Sequence, residues 1–514
     1  MKLLSIAIPH HDVNISYFDG TRLWYHKIER TKQSKRYKFD SLLDWKQEVK
    51  SLWGVSPSDV DDVILCFDIN QLPNTLRDNF FNNVNTKIIH GTELIIPIDS
   101  NVCNFLGVKH AWYINHHYAH ALSTWMLEDK EPNLRIVVDG LGNGRTWSIF
   151  KDDRIIGYGD VNNGSIGWGM REMGKLLNVQ YGHYNDIAGK VMGIQSYGNL
   201  DIDFLELLQK YNINQIKDIF SFNTWVFYKQ DELIASNTLL DWAKTVHKRI
   251  EQLLVELFAM HASEEDYISY SGGVAQNVIW NTELKKIFKN LIIPPHSSDE
   301  GLSLGAIEWL RKKYKLPKLF LPSFPYSQSD KLPENTPSEN TIKLAAKFLA
   351  EGKVIGWYQG NGEVGPRALG NRSILFDPRI SNGKQIVNRV KKRENYRPFG
   401  ASVLQENKSD YFSGSDDAYM LFTSKNNTNS LPSITHVDGT CRVQTVDKTN
   451  GYFRLLLEEF FKLTGCPVLL NTSLNLAGKP IAGYPDNALQ FFYESEIDCM
   501  FIGDDLFIKT FGDK

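Results

Sequence analysis

Cysteine is scarce in this chain: Cys66, Cys103, Cys441, Cys466 and Cys499 are the five among 514 residues, and no two form a C-x-x-C pair. That excludes a zinc knuckle and a disulfide framework, and it points to a reducing, cytoplasmic setting. No apolar run approaches the roughly 20 residues needed to span a bilayer, so no membrane partner is expected. The opening Met1-Lys2-Leu3-Leu4-Ser5-Ile6 meets His10, His11 and Asp12 too soon for a signal peptide. A strong charge imbalance is also missing. The net charge of −3 gives no overall pull toward a nucleic-acid duplex or an anionic membrane. There is no G-x-x-x-x-G-K-[ST] phosphate loop, no low-complexity tract and no short tandem repeat.

What is present reads as a globular chain of two or three domains, 42% hydrophobic and 23% charged. Residues 1–30 predict strands separated by turns, with Asp19-Gly20 as a hairpin turn before a strand near Leu23-Trp24-Tyr25. A helix is expected over 41–53, a buried strand at Val63–Phe67, and a helix over 117–127. A strand at 134–139 ends in Asp139-Gly140, and a return strand follows at Thr146–Phe150. The pattern recurs where Ile268-Ser269-Tyr270 runs into Ser271-Gly272-Gly273 and then a helix, which suggests two related subdomains. Pro317, Pro322, Pro325, Pro333 and Pro337 mark a linker. The expected domains are therefore 1–322, a linker at 323–338, and 339–514.

Three constellations carry chemistry. His116 and His120 are four apart, so on a helix they share a face. With Asp139 from a following strand they make a candidate metal site. The stretch 360–379 combines glycines with Arg367 and Arg372, planar donors suited to phosphate or carboxylate. The run 384–397 holds Lys384, Arg389, Lys391, Lys392, Arg393 and Arg397 against Glu394 alone; interleaved with Asn388, Tyr396 and Phe399, it reads as an anion-binding segment rather than a solvated face. Thr435–Gln444 and Asn471-Thr472-Ser473 add polar groups, the second directly after a buried strand.

In order along the chain stand His11-Asp12, His116-His117-x-x-His120, Asp139-Gly140, Gly189-Lys190-Val191-Met192-Gly193, Gly272-Gly273-Val274-Ala275-x-Asn277, Asp299-Glu300-Gly301, Gly365-Pro366-Arg367-Ala368-Leu369-Gly370-Asn371-Arg372, Arg397-Pro398-Phe399, His436-Val437-Asp438-Gly439-Thr440 and Asn471-Thr472-Ser473. Together they resemble the carbamoyltransferases that act on tobramycin, nodulation factors and cephalosporins. The resemblance implies an α/β actin-like ATPase (ASKHA) domain of two subdomains followed by an α+β YrdC-like domain. It implies that the second domain makes carbamoyl adenylate from carbamoyl phosphate and ATP with Mg(2+). The first domain would then move the carbamoyl group to an acceptor hydroxyl, using Fe(2+) or a similar divalent metal.

Carried onto this chain, the resemblance implies His116, His120, Asp139 and Asp299 as metal ligands and His11 as general base, with His10 as a rival. It implies Arg367, Lys391, Arg397 and Arg442 at the carbamoyl phosphate and adenylate, Asn471 and Ser473 at the nucleotide, and Lys35 reaching the same site, with Lys32 and Lys38 as alternatives. Two departures, Val13-Asn14 after His11-Asp12 and the polar Pro294-Pro295-His296-Ser297-Ser298, stand beside His11 and Asp299, whose surroundings are expected to face the acceptor. That acceptor is a small molecule, a sugar, or a hydroxymethylated nucleotide or nucleobase, free or in nucleic acid; a homo-oligomer is compatible with all of this. The competing readings are a tRNA threonylcarbamoyl-type transferase and a non-enzymatic nucleotide-binding sensor. The hydrogenase-maturation relatives are disfavoured by the missing C-x-x-C segments.

Overall fold

The computed structural model describes residues 1–67, 92–229 and 236–509, apart from the side chains of 236 and 237. The chain forms two compact units, Met1–Ile28 with Arg36–Pro322, and Glu29–Lys35 with Ser323–Lys514. The short stretch 29–35 thus packs with the second unit, although 1–322 reads as one block in sequence.

The first unit contains two sheets built to one plan. In the first, β1 (Leu3–Ile8), β2 (Asn14–Phe18) and β3 (Leu23–Lys27) form an antiparallel meander, and β4 (Asp62–Phe67) and β6 (Ala111–Ile114) continue parallel to β1, with β5 (Ile95–Pro97) on the edge. In the second, β7 (Leu134–Gly142), β8 (Arg145–Lys151) and β9 (Arg154–Asp160) form the meander, and β10 (Ile268–Ser271) and β11 (Leu291–Ile292) run parallel to β7. A meander followed by two parallel strands, used twice, gives the two related subdomains anticipated from the paired glycine turns, as the actin-like domain implied by the resemblance requires. β1 and β4 are buried at every position, as parallel strands covered on both faces should be.

The helix Leu302–Lys313 packs against β1, β2, β4 and the helix His116–Leu122. A Cβ at Gly305 would stand 1.8 Å from the Ala119 carbonyl oxygen, so only glycine permits this helix crossing. The crossing matters because Asp299 precedes one helix and His116 opens the other.

The second unit is a mixed eight-stranded sheet in the order β15 (Thr423–Lys425), β16 (Thr440–Val446), β14 (Gly400–Leu404), β17 (Val468–Ser473), β13 (Arg372–Phe376), β12 (Ile355–Tyr358), β18 (Cys499–Ile502), β19 (Asp505–Ile508). The helices Glu339–Ala350 and Gly451–Thr464 pack on each other, and Phe453, Leu456, Leu457 and Phe460 join the core. Part of the expected linker is an ordered strap: Pro325 O accepts from Val364 N at 2.7 Å, Gln328 N donates to Gly362 O at 3.1 Å, and Tyr326 Oη to Leu369 O at 2.9 Å. Proline content signalled an extended segment, but buried Tyr326 fastens it. Among the described residues, no helix is long and apolar enough to cross a membrane.

Candidate functional site

Two constellations stand out, one in each unit. In the first, His116 and His120 lie on one face of the helix His116–Leu122, capped by the Asn115 side chain. Asp139 sits on β7, and Asp299 opens the turn before the helix Leu302–Lys313. One ligand atom from each of the four lies within 4.8 Å of the others. The His116 and His120 Nε2 atoms are 3.2 Å apart. His116 Nε2 is 3.2 Å from Asp139 Oδ2 and 3.5 Å from Asp299 Oδ1, and His120 Nε2 is 3.3 Å from Asp299 Oδ1. Ligand atoms bonded at about 2.1 Å to one cation stand about 3.0 Å apart at right angles and about 3.4 Å apart at the tetrahedral angle. These spacings fall around those values, while His120 Nε2 to Asp139 Oδ2 is longer at 3.9 Å. Two imidazoles and two carboxylates suit a divalent first-row ion. His117 turns away, its Nε2 3.1 Å from the Arg145 carbonyl.

The surroundings fix this quartet. Gly273 N donates to Asp139 Oδ1 at 2.8 Å, and His116 N to Asn143 Oδ1 at 2.7 Å. A Cβ at Gly142 would stand 2.2 Å from the His116 ring, so glycine there gives the ring its room. Burial works against a charged His116, yet the field of Asp299 and the bonds to Asp139 and Asp299 raise its pKa well above the ordinary value. Burial likewise opposes charge on Asp139, and His116 and His120 outweigh it, holding the carboxyl down to about 2. A proton on His116 thus does part of what a cation would do among these carboxylates.

His11 joins the quartet through Asp299, 3.8 Å from its Nδ1, while Nδ1 also hydrogen-bonds Asp12 Oδ2 at 2.7 Å. His10 is exposed. Buried Asp12 is matched by Lys27 at 2.9 Å and by Arg36. Neither cation was singled out in sequence, because their partners lie on other elements. The two departures face inward and not toward a ligand. Asn14 is fully buried, donating to the Asp12 and Asp299 carbonyls at 2.7 and 2.8 Å and accepting from Ser303 N at 2.9 Å. His296 and Ser297 are also fully buried; His296 Nε2 meets the Ser123 carbonyl at 2.9 Å, and Ser297 Oγ accepts from Gln276 at 2.8 Å. They brace the ligand turns instead.

The second unit holds the opposite charge. Arg442 on β16, Gly400 on β14 and Asn471 on β17 are paired across the sheet in one row. Directly paired residues share a face, so Arg442 and Asn471 project together. Burial together with Arg393, Arg397 and Lys35 depresses the Lys391 pKa well below its usual value. Burial with Arg397 and Arg442 does the same to Arg393, and burial with Arg397 brings Arg442 down to about 10. Glu394, 3.9 Å from Arg397, is the carboxylate that forms an ion pair with this group. Lys391 Nζ reaches the Ser473 carbonyl and, at 3.0 Å each, Asn475 O and Oδ1, which ties the 473–475 turn to the cluster. Asn471 gives its amide to Ala368 O at 3.3 Å and Ser402 Oγ at 3.0 Å, and its buried Oδ1 has no partner among the described residues. Lys35 belongs to the stretch packed with this unit, Lys38 does not, and Lys32 is exposed.

Arg367 and Arg372 diverge. Arg367 is half-buried, and its field reaches the buried Asp417. Arg372 is wholly buried, donating to the carbonyls of Gln359, Asn371 and Gly360 and lying 3.6 Å from Asp330. It is not the phosphate donor its motif suggested, because the main chain takes its donors. Glu363, missed in sequence, organises the same loop by accepting from the backbone N–H groups of Leu369, Asn371 and Arg372 at 2.8, 2.9 and 3.2 Å.

Comparison with known proteins agrees with this division. The family profile described as Carbamoyltransferase N-terminus matches residues 2–307, and that described as Carbamoyltransferase C-terminus matches residues 346–509. Nodulation protein NolO of Bradyrhizobium diazoefficiens is 30% identical over 76% of this chain and 78% of its own length. Nodulation protein U of the same organism is 29% identical over 95% of this chain and 94% of its own. Among solved structures, T. kodakarensis HypF aligns over 62% of this chain and 48% of that one, at 13% identity and a TM-score of 0.40. The chain belongs to the carbamoyltransferase family, and it is an enzyme that transfers carbamoyl groups.

Proposed function

We propose that the protein is an ATP-dependent O-carbamoyltransferase with one step in each unit. The second, YrdC-like unit converts carbamoyl phosphate, water and ATP into carbamoyl adenylate, phosphate and pyrophosphate, and the first passes the carbamoyl group to an acceptor hydroxyl, releasing AMP. The observation that carries this reading is the cluster of Lys391, Arg393, Arg397 and Arg442, of which Lys391 is buried and the three arginines half-buried, with Glu394 3.9 Å from Arg397. Desolvation and neighbouring cations depress Lys391, Arg393 and Arg442, and such a group is suited to an anionic ligand. Bringing carbamoyl phosphate against ATP with Mg(2+) requires cations fixed in advance, since the reactants repel each other. Arg367, Arg397, Arg442 and Lys35 hold these anions, with Lys391 setting the turn that carries Ser473. Asn471 holds the loop at Ala368 and keeps Oδ1 for the nucleotide.

In the first unit, a divalent cation such as Fe(2+), held by His116, His120, Asp139 and Asp299, would supply Lewis-acid polarisation. His11 takes the acceptor's hydroxyl proton. Its Nδ1 is engaged by Asp12, which orients the ring and leaves Nε2 for the proton. Burial works against a charged His11, but the bond to Asp12 and the field of Asp299 raise its pKa, so it holds that proton well. The test is release of pyrophosphate from ATP that depends on carbamoyl phosphate. It is expected from the wild type, and its absence from metal-loaded protein would refute the adenylate step.

A further inference from the structure

A hydroxyl that gives its proton to His11 must lie beside it, so the side chains around His11 select the acceptor. The helix Ile166–Leu176 begins against the metal-site turn: Ser165 Oγ donates to Gly140 O at 2.6 Å, and a Cβ at Gly167 would stand 2.9 Å from Gly140 Cα. Gly140 follows Asp139 directly. A second segment reaches the same place. Arg36 binds Asp12 and lies 3.6 Å from Asp186, fastening the turn 183–186 to the His11-Asp12 pair. The His183 ring is centred 6.4 Å from that of His11, edge toward face at 71°. His183 in turn lies over Tyr184 at 4.2 Å, held by Asn185 N donating to its Nδ1 at 3.2 Å.

The Arg171 guanidinium sits 5.7 Å from the Trp168 ring centre and 5.2 Å from that of Tyr184, joining the two segments. Trp168 and Tyr184 nevertheless keep 39% and 40% of their surface exposed, and Leu141, beside Gly140, keeps 40%. Large apolar side chains left open around a polar centre mark a ligand surface rather than a contribution to stability. We infer that Trp168, Arg171, His183 and Tyr184 form the acceptor subsite, and that it takes a neutral or anionic hydroxyl compound by the face of a ring. This rests on the reading of the first unit as the transfer site.

The ring follows from the flat faces of Trp168 and Tyr184. The charge follows from the groups present. Arg36 is paired with Asp12 and Asp186, and Arg171 and Lys175 with Glu172, so these acids are already matched by cations. A polycationic acceptor would have to displace these pairs to reach a carboxylate.

Saturation-transfer NMR on the full chain tests this with three probes: a hydroxymethylated pyrimidine nucleotide, the neutral disaccharide chitobiose, and tobramycin. Ring protons of the nucleotide or the disaccharide should be saturated by the wild type. Their dissociation constants should rise about tenfold in Trp168→Ala and Tyr184→Ala, the scale of one lost stacking contact, and Trp168→Phe and Tyr184→Phe should restore binding. Saturation of the nucleotide alone selects a planar ring, and of the disaccharide alone a saturated one. The inference is overturned if neither probe is saturated, if both alanine variants bind as the wild type does, or if tobramycin binds more tightly than both. Absence of carbamoyl-phosphate-dependent pyrophosphate release from the wild type would refute the adenylate step without altering the binding result.

Discussion

The two sites are electrostatic opposites. The first unit gathers two buried carboxylates around two imidazoles, a cage for a cation. The second gathers buried Lys391 with half-buried Arg393, Arg397 and Arg442 beside Glu394, an arrangement suited to an anion. Each concentrates groups that disfavour their own charge, a cost that a ligand of opposite charge would offset. The contrast teaches that the ligand's charge can be read from what each cage lacks, and that the two chemistries should be separable by mutation.

The largest separation is expected at the quartet. Asp299→Ala or His120→Ala should weaken divalent-metal binding by at least about 100-fold while pyrophosphate release stays within about twofold. Metal content by mass spectrometry and a pyrophosphate assay on one preparation check both halves. The reverse case is Arg442→Ala, which should lower pyrophosphate release by about 100-fold, the scale of one lost charge-stabilising donor. Its metal content should match the wild type. Equal loss of both properties in either variant would erase the contrast.

How much of this was legible in sequence depended on local periodicity. The strands Leu3–Ile8, Asp62–Phe67 and Ile268–Ser271 and the turns after them follow from apolar runs and glycines. The spacing of His116 and His120 placed both on one helix face, where the structure also puts them. What local pattern could not give was direction across long separations. Asn14 reads as a departure from the family pattern, and Ser303, far along the chain, draws it inward. Arg372 reads as a phosphate donor by its motif, yet its strand buries it among the carbonyls it supports. The helix Ile166–Leu176 carried no motif, and only its closeness to Gly140 gives Trp168 and Arg171 a meaning.

A smaller effect separates structural from ligand-facing arginines within the second unit. Arg372→Met should destabilise that unit by about 3 kcal/mol, since it strands Asp330 in the interior. Arg397→Ala should move the denaturation midpoint far less, because its guanidinium is partly exposed and paired with Glu394 only at 3.9 Å. Chemical denaturation followed by circular dichroism compares them.

The smallest effect is one of pH. Burial pushes the Asp330 carboxyl up to about 6, against the fields of Arg372 and Arg30. A carboxyl whose folded pKa lies above its unfolded value binds more protons when folded. Its stabilising contribution is therefore complete below about pH 3.9 and lost as pH rises through about 6. Asp330→Asn should flatten this part of the stability profile of the second unit; an unchanged slope would show that another group sets it.

The most direct test of the central claim is carbamoyl-phosphate-dependent pyrophosphate release by the wild type, His116→Ala and Arg397→Ala, assayed side by side. The two-site account predicts release by the wild type, release within about twofold of it by His116→Ala, and loss of about 100-fold in Arg397→Ala. No release by the wild type, or equal loss in both variants, would contradict it.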